Sequence, residues 1–93
     1  MLYIQINSNN ATAGGVVANG VTINGAQFSG TDVGNAVLPA GTIFTVISNI
    51  SATDTSGAFS NLPEGGTITI GINTFQADYG GGDGNDLTLT AIP

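Results

Sequence analysis

The residues with the greatest chemical capacity stand together near the C-terminus, in the run Gly81-Gly82-Asp83-Gly84-Asn85-Asp86. This run matches the first six positions of the calcium-binding nonapeptide G-G-x-G-x-D-x-U-x, in which carbonyls and an aspartate offer hard oxygens to the ion. Thr88 stands where that motif carries a large aliphatic residue. Only one copy is present, whereas calcium in such folds sits between consecutive turns. Asp83, Asn85 and Asp86 are the candidate calcium ligands, with Asp78 close enough in the chain to join them. The plainer reading is a Gly-rich turn that short polar residues keep tight and soluble. Tyr79, beside the same loop, is the candidate contact for a neutral ligand such as a glycan. The other aromatics, Tyr3, Phe28, Phe44, Phe59 and Phe75, alternate with polar residues in a way that predicts core packing.

Catalysis has little to work with. Two of the six carboxylates at a suitable separation would serve glycoside hydrolysis, but tuning an acid and holding a sugar call for neighbours that this chain lacks. It has no Trp, His, Lys or Arg. Ser48, Ser51, Ser56 and Ser60 have no His or Lys to activate them. The sequence therefore predicts no catalytic residue, no enzyme and no cofactor beyond the calcium already considered.

A net charge of −6 without a single cation leaves nothing to neutralise phosphate, which excludes the usual footprint of nucleic-acid binding. Anionic membranes and polyanionic sugars are disfavoured for the same reason. Charged residues make up 6% of the chain, against about 25% in an average globular domain. No cysteine is present, so neither disulfides nor thiolate metal sites contribute. The longest apolar runs, Ala36 to Leu38 and Ile43 to Phe44, fall far short of the roughly 20 residues a membrane-spanning helix needs. Met1 to Ile6 lacks the basic start and long apolar core of a signal peptide, so an exported protein would present this chain as a mature form or as part of a longer one.

The elements that must position these residues are short strands. Fifteen glycines fall largely in pairs with one another or with asparagine, at Gly14-Gly15, Asn19-Gly20, Asn24-Gly25, Gly34-Asn35, Gly65-Gly66 and 80–85, and read as turns. Between them, period-two alternation predicts strands at 2–6, 21–23, 26–28, 42–47, 67–70, 74–79 and 86–92, with no helical periodicity. The last three, joined at 71–73 and 80–85, predict an antiparallel meander. Ninety-three residues suit one all-β domain spanning 1–93. With no Lys and only Pro39, Pro63 and Pro93 to blunt a strand edge, the edges are expected to be covered, by neighbouring β-rungs of a longer chain or by a second copy.

The segment Gly57-Ala58-Phe59-Ser60-Asn61-Leu62-Pro63-Glu64-Gly65-Gly66-Thr67-Ile68, followed by Phe75, Tyr79 and Gly81-Gly82-Asp83-Gly84-Asn85-Asp86-Leu87-Thr88-Leu89-Thr90, resembles the C-terminal region of autotransporter-associated β-strand repeat proteins. Val21 to Ala26 and Gly41 to Asn49 are similar to that family's preceding strands, so the resemblance covers about Gly20 to Thr90. It implies a short β-solenoid or solenoid cap ending in the antiparallel β-meander, carried by large adhesin-like proteins that are extracellular or displayed on a bacterial cell surface. Family members carry this unit at the end of long arrays, whereas this chain is short, which favours a homo-oligomer. The expected function is a structural capping module that self-associates through strand edges. The alternative is a small module that binds calcium or a neutral glycan through loop 80–86.

Overall fold

The computed structural model describes residues 2–53, 55–82 and 84–92. Among them eight strands form and no helix: β1 (Leu2–Asn7), β2 (Thr12–Ala13), β3 (Val16–Ala18), β4 (Phe28–Asp32), β5 (Ile43–Asn49), β6 (Thr67–Ile70), β7 (Asn73–Gly81) and β8 (Asp86–Ile92). Among the described residues, therefore, no helix is long and apolar enough to cross a membrane. Two mixed sheets result, one in the order β2-β1-β4 and the other β3-β5-β8-β7-β6.

The N-terminal half pairs in parallel across long stretches of chain. Leu2 lies opposite Phe28 in the β1–β4 ladder, Val16 opposite Ile47 in β3–β5, and Thr22 bridges Ser56, so successive passes of the chain lie 26, 31 and 34 residues apart. Parallel neighbours need such long crossovers, because a two-residue turn can only reverse the strand. The C-terminal half does the opposite. β6, β7 and β8 form the antiparallel meander that the alternation predicts, with Ile68 opposite Phe75 and Ala77 opposite Leu89. β8 then pairs antiparallel with β5, through a register shift between Thr45 and Ile47.

The meander extends from the flank of β5 round to that of β4. The Asn61 side chain pairs with both backbone groups of Phe28, accepting from its amide at 2.8 Å and donating to its carbonyl at 2.7 Å. Ile70 packs where a side chain on Gly30 would stand; a Cβ there would lie 2.6 Å from Ile70 Cδ1. That approach explains a glycine inside β4. The inward faces of both sheets meet in one apolar cluster that includes Ile4, Ile6, Phe28, Phe44, Val46, Leu62, Ile70, Phe75, Leu87 and Leu89. Phe28 meets Phe59 edge-on at 5.5 Å, and Phe44 lies 5.8 Å from Phe75.

Three expectations are corrected. Residues 21–23 form no strand, only the Thr22–Ser56 bridge, because the turns at Asn19-Gly20 and Asn24-Gly25 leave too little extended chain. The strand expected at 26–28 instead begins at Phe28 and runs through Gly30 to Asp32, its register fixed by β1 rather than by its own alternation. Tyr3 is 55% exposed rather than in the core, since Ile4 and Ile6 take the inward positions of β1 and period two turns Tyr3 outward.

Candidate functional site

Loop 80–86 is a tight connection between β7 and β8. The Gly84 amide donates to the Gly81 carbonyl at 2.9 Å, and Gly82 and Gly84 adopt positive φ of 58° and 110°. A side chain on Gly82 would collide with the Asp86 carboxylate, so glycine here serves both the turn and the close approach.

The structure turns two of the candidate ligands inward. Asn85 and Asp86 are each 7% exposed. Asp86 Oδ1 accepts the Asn49 amide at 2.8 Å. Asn85 donates from Nδ2 to the carbonyls of Ser51 and Thr53, and its own carbonyl accepts the Thr55 hydroxyl at 2.8 Å. Asn49, fully buried, extends the network: its Oδ1 accepts the amides of Gly20 and Ser51, both at 3.0 Å, and its Nδ2 donates to the Thr53 carbonyl. Loop 80–86 is thereby latched onto loop 49–55, and through Asn49 onto Gly20. Asn85 Oδ1 is buried without a hydrogen-bond partner among the described residues.

Asp83 lies outside the described residues. Asp78 is exposed, and its Oδ1 accepts the Gly80 amide two residues on. No group of three or more acidic, His or Cys side chains able to hold a metal forms among the described residues. A calcium ion takes six to eight oxygens, and the described part of the loop offers the Asp86 carboxylate, half engaged with Asn49, and the Asn85 amide oxygen.

Tyr79 is half-buried against the core. Its hydroxyl donates to the Leu62 carbonyl and accepts the Phe59 amide at 3.1 Å, and its own amide donates to Glu64 Oε1. Burial raises the phenol pKa above the ordinary tyrosine value; the Phe59 amide opposes that and the Glu64 carboxylate adds to it. The side chain pins segment 59–64 to the meander.

Asp32 anchors a second polar knot. Its Oδ1 accepts the amides of Ser8 at 3.0 Å and Gly34 at 2.8 Å. Burial alone would raise this carboxyl, but bonds from the Ser8 side chain and from the Ser8 and Gly34 amides outweigh it and hold the pKa below the ordinary aspartate value.

Sequence reasoning missed the concave apolar face at the β3 end of the molecule. Leu2, Val16, Ala18, Val21 and Ala26 line an opening of about 360 Å3 over Ile23, Ile47 and Phe59. The available signal was the β-branched Val16-Val17 between Gly14-Gly15 and Asn19-Gly20, a strand pattern too short to stand out. Compared with known proteins, the chain matches no protein-family model, no curated protein and no solved structure.

Proposed function

We propose that this chain is a structural, non-catalytic module: the end of a β-solenoid in an adhesin-like protein displayed outside a bacterial cell. The observation that carries this reading is the parallel pairing of Leu2 with Phe28, Val16 with Ile47 and Thr22 with Ser56, three places where the chain returns beside itself. Successive passes stacked this way are what a coil of β-strands consists of. The antiparallel meander of β6, β7 and β8 ends the parallel pairing, as a cap would. Polar side chains serve the stack rather than a solvent-facing site: Asn49, Asn61 and Asn73 all bond backbone groups of distant segments, Asn73 through the Leu38 amide and the Ala36 carbonyl. The resemblance to autotransporter-associated repeat proteins supports the surface location. Antibody against the chain should label intact cells of the source organism as strongly as permeabilised ones; label that appears only after permeabilisation would overturn the display.

A second reading, a calcium- or glycan-binding module, draws on the buried Asn85 Oδ1, which has no hydrogen-bond partner among the described residues. It predicts a thermal midpoint that rises with millimolar calcium and falls with a chelator, whereas the structural module melts at the same temperature in both.

A further inference from the structure

We infer that Asn24-Gly25 is a self-modification site, at which the chain closes a succinimide on its own backbone and opens it to aspartate or isoaspartate, and that Asn49 holds back the same chemistry at Asn19-Gly20. Neither half depends on the coil reading above.

The chemistry needs an asparagine side chain followed by a backbone amide free to attack it. The Gly25 nitrogen, on losing its proton, bonds to Asn24 Cγ; the Cγ–Nδ2 bond breaks and ammonia leaves. Water then opens the five-membered ring at one of its two carbonyls. Attack at Cγ leaves an ordinary aspartate, and attack at the backbone carbonyl leaves isoaspartate, with the main chain lengthened by one methylene. The reacting groups are neighbours in the chain, so the step is intramolecular. Glycine in second place favours it, because no side chain obstructs the ring.

The sequence holds two Asn-Gly pairs, at 19–20 and 24–25. In both, the asparagine and the glycine are exposed. Gly20 and Gly25 both adopt positive φ, 90° and 72°, and nothing lies within 4 Å of where a Cβ would stand on either. What separates the pairs is the nucleophile. The Gly20 amide donates to Oδ1 of the fully buried Asn49 at 3.0 Å. Among the described residues, no hydrogen bond engages the Gly25 amide.

The restraint seen at Gly20 recurs along the chain. After Asn7, Asn35, Asn49 and Asn61, the following amide donates in turn to Asp32 Oδ1, the Ser8 hydroxyl, the Ala18 carbonyl and the Phe59 carbonyl. Asn73 and Asn85 are buried, with their side-chain amides donating to distant carbonyls. Asn24 alone joins exposure, a following glycine and a free amide.

The product has somewhere to act. The turn is anchored on both sides, by the Ile23 amide donating to the Ser56 carbonyl at 2.7 Å and by the Ala26 carbonyl accepting the Ser60 amide at 2.8 Å. A main chain lengthened between those points must shift against segment 56–60. Either product also places a carboxylate within the first 31 residues, which carry no charged side chain.

The test is incubation of the full chain at mildly alkaline pH, once folded and once in concentrated urea, with peptic fragments followed by mass spectrometry and isoaspartate counted by enzymatic methylation. In urea, Asn19 and Asn24 should convert at similar rates, since only the local Asn-Gly chemistry remains. In the folded chain Asn24 should convert about 10-fold faster than Asn19, the protection that one hydrogen bond gives the Gly20 amide. Asn49→Ala should raise the Asn19 rate by a similar factor of about 10 and leave the Asn24 rate unchanged. Asn24→Gln, whose longer side chain would need a larger ring, should abolish conversion at that position and spare Asn19. Equal rates at the two pairs in the folded chain, an Asn24 that converts in urea but stays intact when folded, or an Asn19 rate untouched by Asn49→Ala would each overturn the assignment. Should Asn49→Ala fail to fold, the folded-against-urea ratio in the unaltered chain still decides.

Discussion

The two ends of this molecule obey the same alternation and reach opposite outcomes. At the meander end, Phe75, Leu87 and Leu89 are completely buried, because β5 and β6 flank β7 and β8 and the first sheet packs across from them. At the β3 end, Leu2 and Val21 pack against the same core yet stay partly in contact with water, because among the described residues no further strand lies beyond them. Inward direction is a property of the strand; burial is a property of the next layer. A pattern of alternating residues therefore identifies a core face without saying whether that face is filled.

The contrast is open to direct attack. Phe75→Ala, at the closed end, should cost about 3–5 kcal/mol in urea unfolding, through lost transfer energy and an unfilled cavity. Leu2→Ala, at the open end, should cost roughly 1 kcal/mol, since part of that side chain already meets water. Equal losses at the two positions would erase the distinction between the ends.

Asn49→Ala probes the link between them. Its side chain accepts from Gly20 near the open end, and its amide donates to Asp86 at the base of the meander. Removing the side chain strands the amides of Gly20 and Ser51 and should cost roughly 2–3 kcal/mol. Faster amide exchange at Gly20, with little change at Phe75, would show that the open end unfolds separately.

Tyr79→Phe sharpens the account of the closed end. It leaves the Leu62 carbonyl and Phe59 amide without their partner and should cost about 1–1.5 kcal/mol by thermal melting. Because the folded pKa of Tyr79 is raised, its contribution is intact below the ordinary tyrosine value of 10.0 and is lost as pH climbs through the higher folded value. The wild-type chain should show this alkaline loss, and the Phe variant should lack it.

Asp32→Asn should have the smallest effect at neutral pH. The folded pKa is lowered, so the stability this carboxylate adds is complete above the ordinary value of 3.8 and disappears as pH falls through the lower folded value. The variant should flatten the acid limb of a stability-against-pH curve measured in urea.

Much of the strand framework could be read from the sequence. β1, β5, β6, β7 and β8 all follow from runs such as Thr67-Ile68-Thr69-Ile70, where one residue in two is apolar. β2 and β3 could not, since two or three residues carry too little periodicity, and their pairing is imposed by β1 and β5. Residues 26–32 misled for a related reason: Gly30 looks like a turn residue, and only the approach of Ile70, forty residues on, reveals a strand kept narrow there. At the candidate loop, the turn was legible in its glycines, but the inward orientation of Asn85 and Asp86 was not. Short polar residues in a Gly-rich run read as solvated, and the reason they are not lies in Asn49 and in the carbonyls of 51–53, far away in the chain.

The spacing of the ladders also sets the tempo of assembly. The β6–β7 and β7–β8 hairpins close loops of a few residues, whereas the β3–β5 ladder must bring together Val16 and Ile47 across 31 positions. Short loops form early because they surrender less chain entropy before contacts reward it. On this ground the last third of the chain is expected to form first and the parallel ladders of the first two-thirds to follow, an order that pulse-labelled amide exchange during refolding would read as protection at Ala77 before protection at Ala18.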